Sequence, residues 1–132
     1  MENNKKIVFK LPKTVKRKEA KKVICDIVRM LNDAGMLTPS DIPQLHRMAT
    51  AYDTYLQCTE VISEDGITMK NLKGEMVKRP EVNIQREAWS QYLEIAKEYG
   101  LTTKSKGQIK AFQVEDNESP LDKFIKSKKQ TR

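Results

Sequence analysis

Apolar positions recur by three and four from Ala20 onward. Ala20, Val23, Ile24, Ile27, Val28, Leu31 and Ala34 form one stripe, with Gly35 where a left-handed C-terminal cap is needed. This predicts a first helix beginning near Arg17. The connection Gly35-Met36-Leu37-Thr38-Pro39-Ser40-Asp41 has the chemistry of a helix start, with a Thr cap, Pro at the first helical position and an acid in the first turn. A second helix follows, with Ile42, Leu45, Ala49, Tyr52 and Leu56 as one stripe and Met48, Tyr55 and Ile62 as another, running to about Glu64. Pro43 fits inside its first turn. Between Gly66 and Pro80 the pattern breaks into the short runs Ile67-Thr68-Met69 and Met76-Val77, which predict a short β-hairpin or an ordered loop.

The third helix is expected from about Val82 to Tyr99 and has two apolar stripes. Ile84, Ala88, Tyr92, Ile95 and Tyr99 make the first; Val82, Trp89, Leu93 and Ala96 make the second, roughly 110° around the axis. A small helical domain needs one such stripe for its own core. The second either packs a neighbouring subunit, through Trp89, Leu93 and Ala96, or is flanked by the first two helices. Gly100 ends this helix, Leu101 can fold back onto it, and Thr102 or Thr103 can cap a short helix through Phe112.

The elements add up to a mainly α protein: one small helical domain of three main helices with a short β-hairpin or loop insertion. Residues 1–16 lack periodicity and contain Pro12, and are expected as a flexible basic arm. Residues 17–112 form the helical core and oligomerisation domain, and residues 113–132 a flexible C-terminal tail. At 132 residues, 38% of them apolar, the chain can fill one modest core. No apolar run approaches the roughly 20 residues that span a bilayer, and no hydrophobic segment follows the lysine-rich start, which predicts a cytoplasmic protein with no membrane partner.

Charge sharpens this picture. Residues 1–22 hold nine Lys or Arg against Glu2 and Glu19, a surplus equal to the net charge of +7 for the whole chain. Within the first helix Lys18, Lys22 and Arg29 fall opposite Ile24 and Leu31, with Lys21 beside them. One face packs and the other is basic. This local excess suggests a polyanion bound by Lys13, Lys16, Arg17, Lys18, Lys21, Lys22 and Arg29; from charge alone, a solvated tail is an equal alternative. Lys104, Lys106 and Lys110 form a second basic corner.

Candidate chemistry is otherwise sparse. Cys25, Cys58 and His46 do not form a recognised zinc spacing, and both cysteines are expected as buried free thiols. Glu60, Glu64 and Asp65 end a helix before a turn, where carboxylates are more often solvated than metal-bound. There is no phosphate-binding glycine loop and no nucleophile paired with a histidine, so neither catalysis nor a cofactor is expected. Two helices joined by a short turn are compatible with a helix-turn-helix transcription regulator. However, Ser40, Asp41, Ile42 and Pro43 are poor equipment for reading base edges at the start of the second helix, and a plain helical hairpin is commoner. A helical interaction module that binds no nucleic acid is the other alternative.

The ordered set of features over about residues 17–125 resembles the small terminase subunits of tailed bacteriophages. The likeness rests on GMLTPSDIPQLHRMATAYDTYLQ, a turn into a long helix bearing Asp41 and an Ala-Tyr pair. It continues through the hairpin region ending at Arg79-Pro80, the stretch Trp89 to Tyr99, the GLTTKSK corner, and SPLDKFI from Ser119 to Ile125. In that family the corner commonly reads Gly-Leu-Thr-Pro-x-x-Arg; Thr103 and Lys106 stand here in place of Pro and Arg, keeping a cap and a charge but losing a planar bidentate contact. The resemblance implies a ring-forming, non-catalytic protein of the host cell cytoplasm that recognises double-stranded viral DNA and recruits and regulates the large terminase ATPase-nuclease. By the same analogy, Leu121, Phe124 and Ile125 in the charged C-terminal tail would anchor the large subunit; packing back on the domain is the alternative.

Overall fold

The computed structural model describes residues 6–102. Three helices follow in order: α1 (Lys18–Asp33), α2 (Ile42–Asp65) and α3 (Pro80–Glu98). A two-stranded antiparallel hairpin, β1 (Thr68–Lys70) and β2 (Met76–Lys78), links α2 to α3. The mainly helical class expected from the sequence is the observed one. The chain divides into two units, Met1–Ile95 and Ala96–Arg132. The expected helix through Phe112, the Lys104, Lys106 and Lys110 corner, and the tail with Leu121, Phe124 and Ile125 lie outside the described residues.

α1 buries Ala20, Ile24, Val28 and Leu31. These steps of three and four residues draw one line along the helix, and the charged residues take the other side. Gly35 stops the helix at φ 68°. Its N–H donates to the Asn32 carbonyl at 2.9 Å while the Met36 N–H reaches back to the Leu31 carbonyl at 3.1 Å, a paired closure that needs a left-handed residue and so favours glycine.

The next helix starts with one 3₁₀ turn, Pro39–Asp41, before α2 proper. Pro43 explains the difference from a simple α start. It has no N–H to give to the Pro39 carbonyl four residues back, and Ile42 makes that bond at a spacing of three instead. Asp41 Oδ2 accepts the Thr38 N–H at 2.8 Å, closing the cap from the other side. α2 then buries Leu45, Met48, Ala49, Ala51 and Cys58, and with Ile24 of α1, Leu45 and Met48 are the largest fully buried side chains. The core sits between these two helices.

Residues 6–16, expected to belong to an unpacked arm, form an extended segment laid against α1 and α2. Asn32 holds Ile7 by two bonds, accepting its N–H and donating to its carbonyl, both at 3.0 Å. His46 Nε2–H donates to the Lys10 carbonyl at 2.8 Å, and its ring lies 5.3 Å from that of Phe9. Val15 is buried. Side-chain bonds to an extended backbone leave no periodic trace, which is why the pattern of apolar residues did not reveal this docking.

α3 lies beside α2 through aromatic side chains. Tyr52 meets Tyr92 at 5.1 Å between ring centroids, and Tyr55 meets Trp89 at the same distance. Gln85 Nε2 donates to Thr59 Oγ1 at 2.9 Å, and Ala88 and Ile95 are buried. In the second unit α3 ends as its sequence predicts. Gly100, at φ 70°, donates to the Lys97 carbonyl at 3.1 Å, and the Leu101 N–H reaches the Ala96 carbonyl at 2.9 Å.

Candidate nucleic-acid interface

The start of α1 fixes the basic surface, and a buried carboxylate fixes the start of α1. Asp53, in the middle of α2, is 4% exposed. Its Oδ1 accepts the Lys16 and Arg17 N–H groups at 3.2 and 2.9 Å, and its Oδ2 pairs with Arg17 Nη1 at 3.1 Å. Arg17 is the N-terminal capping residue of α1 and makes no side-chain cap bond of its own; Asp53 instead gives the Arg17 N–H the carboxylate that an acid at the third helical position, here Ala20, supplies in a capping box. The Arg17 Nε lies 3.5 Å from Glu60 Oε1, an ionic approach without hydrogen-bond geometry. Glu60 is thus engaged by the half-buried Arg17. Sequence reading missed Asp53; the available signal was that it is the single acid between Ile42 and Thr59.

The seven cations expected at a polyanion surface divide into two sets. Arg17 is turned inward to Asp53, and Arg29 pairs with Asp26 at 3.3 Å along the same helix. Lys13, Lys16, Lys18, Lys21 and Lys22 are exposed and make no ion pair among the described residues. Lys6, also in the extended segment, is bound to Asp33 at 2.8 Å. Of these seven, the unpaired positive charge is therefore that of Lys13 and Lys16 ahead of α1 and of Lys18, Lys21 and Lys22 in its first turns. Charges on ammonium groups at the end of flexible stems suit phosphate oxygens and carry little geometric information about bases.

The three residues expected to face a neighbouring subunit are not equivalent. Trp89 is 40% exposed, Leu93 is half-buried and Ala96 is buried. Trp89 also touches Tyr92, with ring centroids 5.2 Å apart, so one edge of a four-ring cluster reaches solvent. Burial, followed by the charge of Glu19, holds the Tyr52 phenol above its ordinary pKa; burial does the same for Tyr92, with Tyr52 the lesser cause. Both phenols are neutral across the physiological range. On one side of the α2 and α3 pair Tyr55, Val82, Gln85, Arg86 and Trp89 line a cleft of about 320 Å³.

Of the two cysteines, Cys58 is buried, and that burial pushes its thiol up, but Cys25 is exposed. That corrects the expectation of two buried thiols: Cys25 follows Ile24 by one residue, and 100° of helical rotation carries it off the core face. Among the described residues no three His, Cys, Asp or Glu side chains are grouped as a metal site. Nor is any described helix long and apolar enough to cross a membrane.

Residues 20–116, well over half of the chain, match the family described as phage terminase, small subunit. The chain belongs to that family. No curated protein and no solved structure gives a significant match. The match begins inside α1 and takes in α2, the hairpin and α3. Membership assigns the chain a general role in phage DNA packaging, in a family of generally non-catalytic regulatory subunits that associate with DNA and with a large terminase.

Proposed function

We propose that this small terminase subunit recognises viral DNA through the Lys13, Lys16, Lys18, Lys21 and Lys22 surface, works as a homo-oligomeric ring, and brings the DNA to the large terminase ATPase-nuclease. The observation that carries the reading is the group of exposed lysines around the start of α1, free of carboxylate partners among the described residues while the neighbouring Arg17 and Arg29 are paired. Arg17 then acts as a positioning residue, holding the end of α1 on Asp53. Trp89, with Leu93 beside it, is the contact to a neighbouring subunit. Leu121, Phe124 and Ile125 anchor the large subunit, in the cytoplasm of the host cell. Each subunit contributes a few weak phosphate contacts, and the repetition around a ring raises their combined affinity.

A helix-turn-helix regulator is less well supported, because Asp41 at the head of α2 is committed to the Thr38 cap and would repel phosphates. The test is a titration of duplex DNA by the intact protein over a range of salt concentrations. Binding that weakens steeply with salt is the expected result. No binding at low salt would leave an interaction module that acts through protein contacts alone.

A further inference from the structure

Every residue of the β1–β2 strands except Met69 is exposed. Thr68 pairs with Lys78, Met69 with Val77 and Lys70 with Met76. Side chains alternate along a strand, so Thr68, Lys70, Met76 and Lys78 share one face. Lys70 and Lys78 are diagonal neighbours there, about 7–8 Å apart at their backbones. The turn is built to hold its shape. Asn71 Oδ1 accepts the N–H groups of Lys73 and Glu75, both at 2.9 Å, and Gly74 takes φ 80°. Arg79 clamps the root, donating to the carbonyls of Asp65, Gly66 and Thr68.

This rigid ribbon presents side chains that nothing in the described structure satisfies. Leu72 at the tip is fully exposed, and Met76 is 61% exposed beside Lys70. Lys70, Lys73 and Lys78 are exposed and make no ion pair among the described residues. An apolar tip flanked by free cations is complementary to a groove with anionic walls. We propose that the hairpin is a second DNA contact, a β-ribbon that enters a groove of the duplex with its lysines on phosphates and Leu72 against the groove floor. The major groove of B-DNA, about 12 Å wide, admits a two-stranded ribbon.

The position of the hairpin fits a shared duplex. The start of α1 is bonded to Asp53 of α2, and α2 ends at Asp65, about 18 Å further along its axis. The seven residues from Gly66 to Leu72 add at most about 23 Å. The ribbon tip therefore lies within roughly 41 Å of the start of α1, a little over the 34 Å of one duplex turn, so one duplex is long enough to meet both. Glu64 and Asp65 at the root and Glu75 at the turn repel phosphate, which assigns the contact to the face that carries Lys70 and Lys78 and to Lys73 at the turn.

The inference rests on the DNA-binding reading above, and the test separates the two. Intact wild type, Lys70→Ala/Lys73→Ala/Lys78→Ala and Leu72→Ala are titrated with one duplex across a salt series, with circular dichroism and light scattering on each. All four side chains are exposed, so folding should be kept. The triple variant is expected to flatten the log-log salt slope by roughly two to three units per engaged subunit. Leu72→Ala should keep that slope and lower affinity several-fold. Wild type that binds DNA alongside a triple variant with the same slope and affinity overturns the hairpin contact and leaves the α1 surface standing. Loss of oligomer or of large-subunit binding, with DNA binding unchanged, makes the ribbon a protein contact and also overturns it. Wild type that binds no DNA removes both proposals.

Discussion

Replacing Asp53 should destabilise the protein more than any other change of one polar side chain among the described residues. Asp53→Ala removes a buried acceptor of two backbone N–H groups and the partner of Arg17. A hydrogen bond to a charged group contributes about 1.5–3 kcal/mol, and breaking a fully buried ion pair costs about 3–5 kcal/mol. Arg17 keeps 23% of its side chain exposed and has Glu60 nearby, so its stranded charge is partly solvated. The lower part of that range applies: about 3 kcal/mol for Ala, and about 1–2 kcal/mol for Asn, which can still accept from the amides but is neutral. At about 4–8 °C per kcal/mol for a domain of this size, a loss of about 3 kcal/mol for Asp53→Ala should lower Tm by about 12–24 °C. The assay is urea unfolding followed by circular dichroism at fixed protein concentration, because any assembly makes apparent stability concentration-dependent. A double-mutant cycle with Arg17→Met then isolates the pair. A loss below about 1 kcal/mol for Asp53→Ala would refute the reasoning, since it would mean that the start of α1 does not depend on α2.

Trp89→Ala with Leu93→Ala should dissociate the assembly while leaving a folded chain, seen as a fall in mass by light scattering with helical circular dichroism retained; a wild type that is already a folded monomer contradicts the interface. Gly35→Ala should cost about 1–2 kcal/mol in thermal unfolding, because a Cβ is disfavoured at φ 68°; an unchanged Tm would show that the α1 stop tolerates the strain. Removing residues 119–132 should abolish large-subunit binding and ATPase stimulation, and retention of both would place the anchor elsewhere.

The helices were legible because burial repeats with their period. Ala20, Ile24, Val28 and Leu31 form one line on α1, and Gly35 and Gly100 mark stops that require positive φ. The region between Gly66 and Pro80 could be placed but left open between hairpin and loop, since strands of three residues carry too little alternation to decide. The docking of residues 6–16 was hidden, because Asn32 and His46 hold backbone groups 25 and 36 residues away and leave no local pattern. The role of Asp53 was hidden for the same reason. Its partners, Lys16 and Arg17, lie in a basic stretch that looks uniform in sequence. Only the fold separates the paired Arg17 and Arg29 from the unpaired lysines around them.

The central claim is that the lysines at the start of α1 bind DNA phosphates, and the salt dependence of binding by Lys18→Ala/Lys21→Ala/Lys22→Ala tests it most directly. Each phosphate contact contributes about 0.9 to the log-log slope on duplex DNA, so the triple variant should flatten it by roughly two to three units per engaged subunit, with little change in sequence preference. A triple variant that keeps the wild-type slope would contradict the claim and move the DNA surface away from α1.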